Sequence, residues 1–452
     1  METKLPFKSY LIIGTMLFAL FFGAGNLIFP AQLGQYSGTN LIPAIIGFLI
    51  TGVGLPFLGI LAIGISGSNN LQDLASRIHP VYAVIFTSLL YLTIGPFFAA
   101  PRTGAVAFDV GIAPFISEDF MQVGLIIFTL LFFGITLWLS LNPAKLVDRV
   151  GKVLSPAIII LLLVLLAAVV IKPMGAIGAP EEAYASGAFM KGFTEGYNTM
   201  DALASLVFGI IVINVIRSMG VTNKRGILVA TAKSGAVATA FLAILYVGIA
   251  YLGATSTQAM GLFKTGGPVL SGASSYYFGT FGSVMLAVII LLACLTTSIG
   301  LMMACGEYFH TIMPKISYKV FVIFFTTFCF VVANFGLSNI ITYSIPVLMF
   351  LYPLAVVLML LTFLSPIFNH SRIVYVGATV VAFMISTIDG LKTLCDSLEI
   401  SYFGWMSPVI SFYERFLPFY NEGIGWLLPV LLVMLITGIV ARLQKLSTAH
   451  AQ

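Results

Sequence analysis

Three short stretches of this 452-residue chain place polar or helix-breaking groups inside apolar surroundings. The first is Gly23-Ala24-Gly25-Asn26, set between Phe21-Phe22 and Leu27-Ile28-Phe29-Pro30. A glycine in a helix interior costs about 1 kcal/mol relative to alanine, so two around Ala24 invite unwinding. An unwound turn frees carbonyl oxygens for a cation, and the helix that restarts offers N–H groups to a carboxylate. Close helix packing through small residues would use the same glycines. Asn26 adds an amide where polar groups are rare and usually functional.

The second stretch runs Glu195-Gly196-Tyr197-Asn198-Thr199-Met200-Asp201-Ala202-Leu203-Ala204-Ser205. Asp201 lies several residues inside an apolar run with no basic residue adjacent in sequence. A carboxylate there is costly unless it faces protein, water or an ion. It reads as a cation ligand or proton acceptor, or else as a cap hydrogen-bonded inside a helix break. The third stretch is Ala293-Cys294-Leu295-Thr296-Thr297-Ser298-Ile299-Gly300. Its hydroxyls either bond back to the preceding turn or join freed carbonyls in a hard-oxygen site for Na⁺.

The elements that must position these groups follow from composition. Sixty per cent of the residues are hydrophobic and 8% charged, far from the roughly quarter-charged usage of soluble domains. The apolar residues come in runs of about 18 to 25, the length that crosses a hydrocarbon layer as a helix. Peptide groups in lipid must bond internally, so helices are required, and the period-two alternation of a membrane barrel is missing. Twelve candidate spans lie at approximately 9–33, 41–65, 78–100, 121–141, 153–172, 193–217, 226–253, 279–305, 319–337, 340–364, 373–390 and 424–441. The first is too long for a cleavable signal and lacks a cleavage site, so it reads as a retained span.

Loop charge orients the spans. With the N-terminus inside, fifteen of the 21 basic residues fall on the cytoplasmic side, among them Lys4, Lys8, Lys145, Arg149 and Lys152. Six fall outside: Arg102, Lys172, Lys191, Lys264, Lys392 and Arg415. Both termini are then cytoplasmic. The connections at about 172–192, 254–278 and 391–423 read as outer loops, with room for short helices over a vestibule. The first and sixth spans, both interrupted, begin about 185 residues apart. Two sets of five spans starting at these points would enter the membrane from opposite sides, the inverted-repeat pattern of secondary transporters.

At these residues the chain resembles the branched-chain amino acid:cation symporters, the BrnQ-type family. The resemblance rests on Phe18 to Pro30, on Gly95-Pro96-Phe97-Phe98-Ala99-Ala100-Pro101-Arg102-Thr103 and on Thr199-Met200-Asp201-Ala202-Leu203-Ala204, and it extends over the whole chain. It implies Na⁺- or H⁺-driven uptake of leucine, isoleucine and valine across a bacterial cytoplasmic membrane. That family is similar in turn to the amino acid–polyamine–cation superfamily. The fold implied is all-α: twelve transmembrane helices in a 5+5 inverted repeat (LeuT-type) plus two C-terminal helices. The chain is then one transmembrane domain, with repeats at about 8–172 and 193–364 and accessory helices at about 373–390 and 424–441.

The resemblance also implies a site. Backbone N–H groups around Gly23, Ala24, Gly25 and Asn26 would hold the substrate carboxylate. Carbonyls of Ala19, Phe22 and Ala293 with hydroxyls of Thr296 and Thr297 would bind Na⁺. Asn26 and Asp201 would fall at a second cation or proton site, where Asp201 replaces an expected hydroxyl. Apart from the resemblance, the residues beside the second break are expected to complete the pocket, with Asp201 and unwound carbonyls meeting the ammonium group and Met200 and Leu203 lining the space for the branched side chain.

Rival classes fare worse. A membrane-embedded enzyme needs clustered acids or a His-centred base, but the four histidines lie in loops or at the tail. No Gly-X-X-X-X-Gly-Lys-Ser/Thr loop is present for ATP-driven pumping. Scattered basic residues argue against nucleic acid, and the four cysteines (Cys294, Cys305, Cys329, Cys395) read as small buried hydrophobes. A channel is separable from a carrier only by saturation and counterflow. No cofactor and no obligatory protein partner is expected; the partners are the amino acids, the coupling ion and the bilayer.

Overall fold

A computed structural model describes residues 5–68, 70–141 and 155–450. The basic residues Lys4, Lys145, Arg149 and Lys152 of the charge argument lie outside the described residues. All regular structure described is helical. The first expected span divides into α1 (Phe7–Phe21) and α2 (Ala24–Ser37). The second is α3 (Leu41–Leu49) joined to α4 (Leu55–Ser66) through a π-helical turn, Ile50–Gly54. A short α5 (Leu71–Ala75) precedes α6 (Pro80–Leu92) and α7 (Ala99–Gly111). Then come α8 (Met121–Ser140), α9 (Ser155–Ile171), the short α10 (Glu182–Ala185) and α11 (Ala188–Glu195). Beyond the second interruption follow α12 (Asp201–Ser218), α13 (Lys224–Met260) and α14 (Gly266–Ile312). The chain ends with α15 (Tyr318–Ala333), α16 (Leu337–Leu364), α17 (Arg372–Ser397), α18 (Met406–Phe416) and α19 (Leu427–His450).

Eight helical stretches among the described residues are long and apolar enough to cross a membrane, from Ala24–Ser66 to Arg372–Ser397. Four shorter apolar helices accompany them: Phe7–Phe21, Pro156–Ile171, Tyr318–Ala333 and Leu427–Leu443. Exposed apolar side chains such as Ile127, Leu130, Leu131 and Trp138 on α8 give the outer surface the character that lipid requires.

Two expectations need correction. The third span does not stop at about residue 100. Gly95 is non-helical (φ −88°, ψ −116°) within a π-helical turn, Thr93–Phe97, and Pro96 follows it. These residues interrupt the helix without ending it, because α7 resumes at Ala99. Arg102 is therefore not an outer-loop charge but a buried one, 3% exposed. The connection at about 254–278 is also mostly helix: α13 runs to Met260, and α14 begins at Gly266 and kinks at Gly279 (φ 58°, ψ −145°).

The half-helices are fastened to long neighbours by glycines in reciprocal pairs. A Cβ built on Gly34 of α2 would lie 1.9 Å from the carbonyl oxygen of Ala250 on α13. One on Gly253 of α13 would lie 2.1 Å from that of Ala31 on α2. The same holds between α3 and α11, where a Cβ built on Gly47 would lie 2.0 Å from the Phe189 carbonyl oxygen and one on Gly192 1.9 Å from that of Ala44. Small residues bring the backbones this close, and packing rather than hydrophobic exclusion holds helices together in lipid.

Candidate functional site

The break in the first span comprises Phe22 (φ −71°, ψ 87°) and Gly23 (φ −121°, ψ −153°). Gly25, expected to be unwound, is already in the first turn of α2. Gly23 is required by proximity: a Cβ there would sit 2.8 Å from Thr297 Oγ1. The restart is capped from within, since the Gly23 N–H donates to Asn26 Oδ1 at 3.1 Å.

The second break lies between α11 and α12. Gly196–Thr199 forms a 3₁₀ turn, and Met200 takes a left-handed conformation (φ 63°, ψ 7°) before Asp201 opens α12. Such backbone in a non-glycine residue costs of order 1–3 kcal/mol and concentrates at functional sites. The π-helical turn opposite accommodates this break: Thr51 Oγ1 donates to the Phe193 carbonyl at 2.7 Å.

The two breaks face each other through side chains. Asn26 Nδ2 donates to Asp201 Oδ2 at 2.5 Å and also to Tyr246 Oη. Tyr246 Oη donates in turn to Asp201 Oδ2 at 2.8 Å. Asp201 stands in the first turn of α12, where the partial positive charge of the helix start favours a carboxylate. The carboxylate is thus not stranded: Asn26 and Tyr246 hold it, with Thr199 and the charge of Arg102 also acting on it. Tyr246 was not foreseen, because a tyrosine in an apolar run carries no signal of its own.

One cavity lies between the breaks. Gly23, Ala24, Gly25, Asn26, Thr199, Met200, Asp201 and Thr297 line its polar part, and Leu20, Phe21, Ile94, Ala204, Phe208 and Leu301 its apolar part. Arg102 and Thr103 contribute from α7. Leu203, expected here, is fully buried but does not line the cavity. The helix period explains this: Asp201, Ala204 and Phe208 share a face of α12, while position 203 is about 200° round from 201.

The hydroxyl cluster of α14 sits beside the end of α1. Thr296 Oγ1 donates to the carbonyls of Ala19 at 3.0 Å and Ala293 at 2.9 Å. Thr297 Oγ1 donates to Leu20 O at 3.1 Å and Ala19 O at 3.4 Å. Ala19, Ala293, Thr296 and Thr297 are thus brought together, with Leu20 as a further oxygen. Phe22 ends the same segment; its own N–H donates to Phe18 O at 2.7 Å. Hydroxyls that donate to carbonyls without a cation can rotate to turn their lone pairs towards one, so this set of neutral oxygens suits a hard ion.

The remaining singled-out residues have local roles. His79 Nδ1 accepts from the Val81 N–H at the start of α6, and His310 and His370 bond to Ile316 O and Ser365 Oγ. All four cysteines are buried and unbridged.

Comparison with known proteins agrees with this architecture. Residues 7–444 match the family described as branched-chain amino acid transport protein. The branched-chain amino acid permease BrnQ of Bacillus subtilis is 48% identical over 431 residues, 95% of this chain and 96% of that one. The branched-chain amino acid transport system 2 carrier protein of Pseudomonas aeruginosa is 41% identical, covering 98% of both chains. The fold is shared with MhsT, crystallised with L-phenylalanine, at a TM-score of 0.58 and 16% identity over 95% of this chain and 98% of that one. It is shared also with Mhp1, a nucleobase-cation-symport-1 family transporter, at 0.57 and 14% over 88% and 93%. The relatives are permeases and carriers rather than enzymes. This chain, with its paired helix breaks around one buried cavity, belongs to the branched-chain amino acid transport protein family of membrane transporters.

Proposed function

We propose that the chain is a secondary symporter that imports leucine, isoleucine and valine by alternating access, driven by Na⁺ or H⁺. The observation that carries this reading is the meeting of two interrupted helices, with Asn26 against Asp201 at 2.5 Å inside one cavity. Relatives named as branched-chain amino acid permeases support the substrate. In this reading the interrupted helices are single spans. The chain then has twelve spans in one transmembrane domain: inverted repeats at about 8–172 and 193–364, two C-terminal accessory helices, and both termini on the cytoplasmic side of a bacterial membrane.

Backbone N–H groups of Ala24 and Gly25 meet the substrate carboxylate; Asp201 and the carbonyls around Met200 meet the ammonium group. Leu20, Phe21, Ile94, Phe208 and Leu301 surround the branched side chain. The coupling ion sits among Ala19, Phe22, Ala293, Thr296 and Thr297, and Asn26 and Asp201 form a second cation or proton site. Coupling follows when ion and solute favour the same conformation, since each then raises the other's affinity by one factor.

Labelled leucine uptake into proteoliposomes under imposed Na⁺ or pH gradients tests the reading. Saturable uptake that responds to one gradient and is competed by isoleucine and valine is expected. Uptake indifferent to both gradients would defeat symport, and a flux without saturation or counterflow would point to a channel.

A further inference from the structure

We propose that Arg102 of α7 is a carboxylate anchor in the central cavity, so that this site requires a solute with a free carboxylate; the inference rests on the substrate reading above. Arg102 is 3% exposed, and its buried Nε has no hydrogen-bond partner. Among the described residues no ion pair joins it to Asp201 or to any other carboxylate. Its guanidinium carbon lies 5.3 Å from the Phe29 ring centroid, a contact with one ring face that leaves the in-plane N–H donors free. Asp201 acts on it electrostatically but makes no ion pair with it and is held by Asn26 and Tyr246, so the buried fork still lacks a direct anionic partner, and a carboxylate from outside the chain would supply one.

The position of the fork identifies that partner. A Cβ built on Gly25 would come within 2.8 Å of Arg102 Nη2, so the guanidinium stands against the first turn of α2. The unpaired N–H groups and partial positive charge of a helix start favour an anion there. A planar guanidinium adds donors spaced for both oxygens of a carboxylate. In the lining of the same cavity Asp201 supplies one negative group, held on Oδ2 by Asn26 and Tyr246. One cation and one anion that line the same cavity without pairing, together with Leu20, Ile94, Phe208 and Leu301, complement a zwitterion with an apolar side chain. An amine or an amide of the same shape would leave the guanidinium unsatisfied.

Isothermal titration of the purified full-length protein with leucine and with leucinamide tests this. The wild type should bind leucine and discriminate against leucinamide. Arg102→Gln should weaken leucine on the order of 100-fold and leave leucinamide within about threefold, so that the discrimination collapses. Arg102→Lys, which keeps the charge without the fork, should lose about tenfold for leucine and serves if the glutamine variant does not fold. Equal losses for both ligands, or unchanged leucine binding, would overturn the anchor and leave Arg102 a structural cation. Failure of the wild type to bind leucine would overturn the substrate reading itself.

Discussion

Asn26 and Asp201, separated by 175 residues in the chain, meet amide to carboxylate at 2.5 Å in the bundle interior. Each belongs to the first turn of a helix that restarts after a break. One hydrogen bond therefore ties together the two places where the backbone comes undone.

Asp201→Asn removes the negative charge and keeps an acceptor oxygen for Asn26 and Tyr246. The variant should insert and remain folded, while gradient-driven leucine uptake falls by at least about 100-fold. Near-normal uptake against a concentration gradient would take Asp201 out of the mechanism.

Tyr246→Phe deletes a donor to Asp201 and the acceptor for the second Asn26 proton. Leaving a buried polar group unpaired costs about 1–3 kcal/mol, so leucine affinity should drop about tenfold or more, with a lower melting temperature. Titration and thermal unfolding of the pure protein check both. If neither quantity moves, the hydroxyl is a bystander.

Replacing Thr296 and Thr297 together by alanine takes away both hydroxyls that lie on the Ala19 carbonyl. If Na⁺ is the coupling ion, its concentration for half-maximal uptake should rise at least tenfold. Leucine uptake measured across a Na⁺ series decides the matter, and an unaltered Na⁺ dependence excludes these hydroxyls as ligands.

Gly34→Ala would force a Cβ to 1.9 Å from the Ala250 carbonyl oxygen. Backbone cannot yield as a side-chain tip does, so a loss of about 1–3 kcal/mol or more is expected. Gly134→Ala on α8, where a Cβ meets nothing within 4 Å, is the matched control. Similar melting temperatures for the two variants in detergent would contradict the close approach of α2 and α13.

The breaks were legible in the sequence because glycine, asparagine and aspartate stand out in an apolar run, each with a cost that must be offset. Their fine positions were not. Gly23 breaks the first helix while Gly25 does not, although both are crowded, Gly23 by Thr297 and Gly25 by Arg102, so spacing alone does not say which one leaves the helix. Leu203 was misplaced because the phase of α12 depends on where that helix restarts, which spacing alone leaves open. Arg102 was hidden by its neighbours: Gly95 and Pro96 imitate a helix end, and a lone arginine beyond an apparent end reads as a loop charge. Only the resumption of α7 brings it inside. The hydroxyls of Thr296 and Thr297 stand out in their own helix, but the carbonyls they meet are implied only by the resemblance, since no pattern in a single helix announces what carbonyl another will present.

The reciprocal glycine contacts have a mechanical consequence. Helices joined backbone to backbone cannot slide without first separating, so α2 travels with α13, and α11 with α3. The other half of the first broken span is held by the same helix: a Cβ built on Gly14 of α1 would lie 2.8 Å from the Ser234 carbonyl oxygen of α13. One long helix thus splints both sides of the Phe22-Gly23 break, so the unwound turn is kept in place by its surroundings although it has no helical bonds of its own.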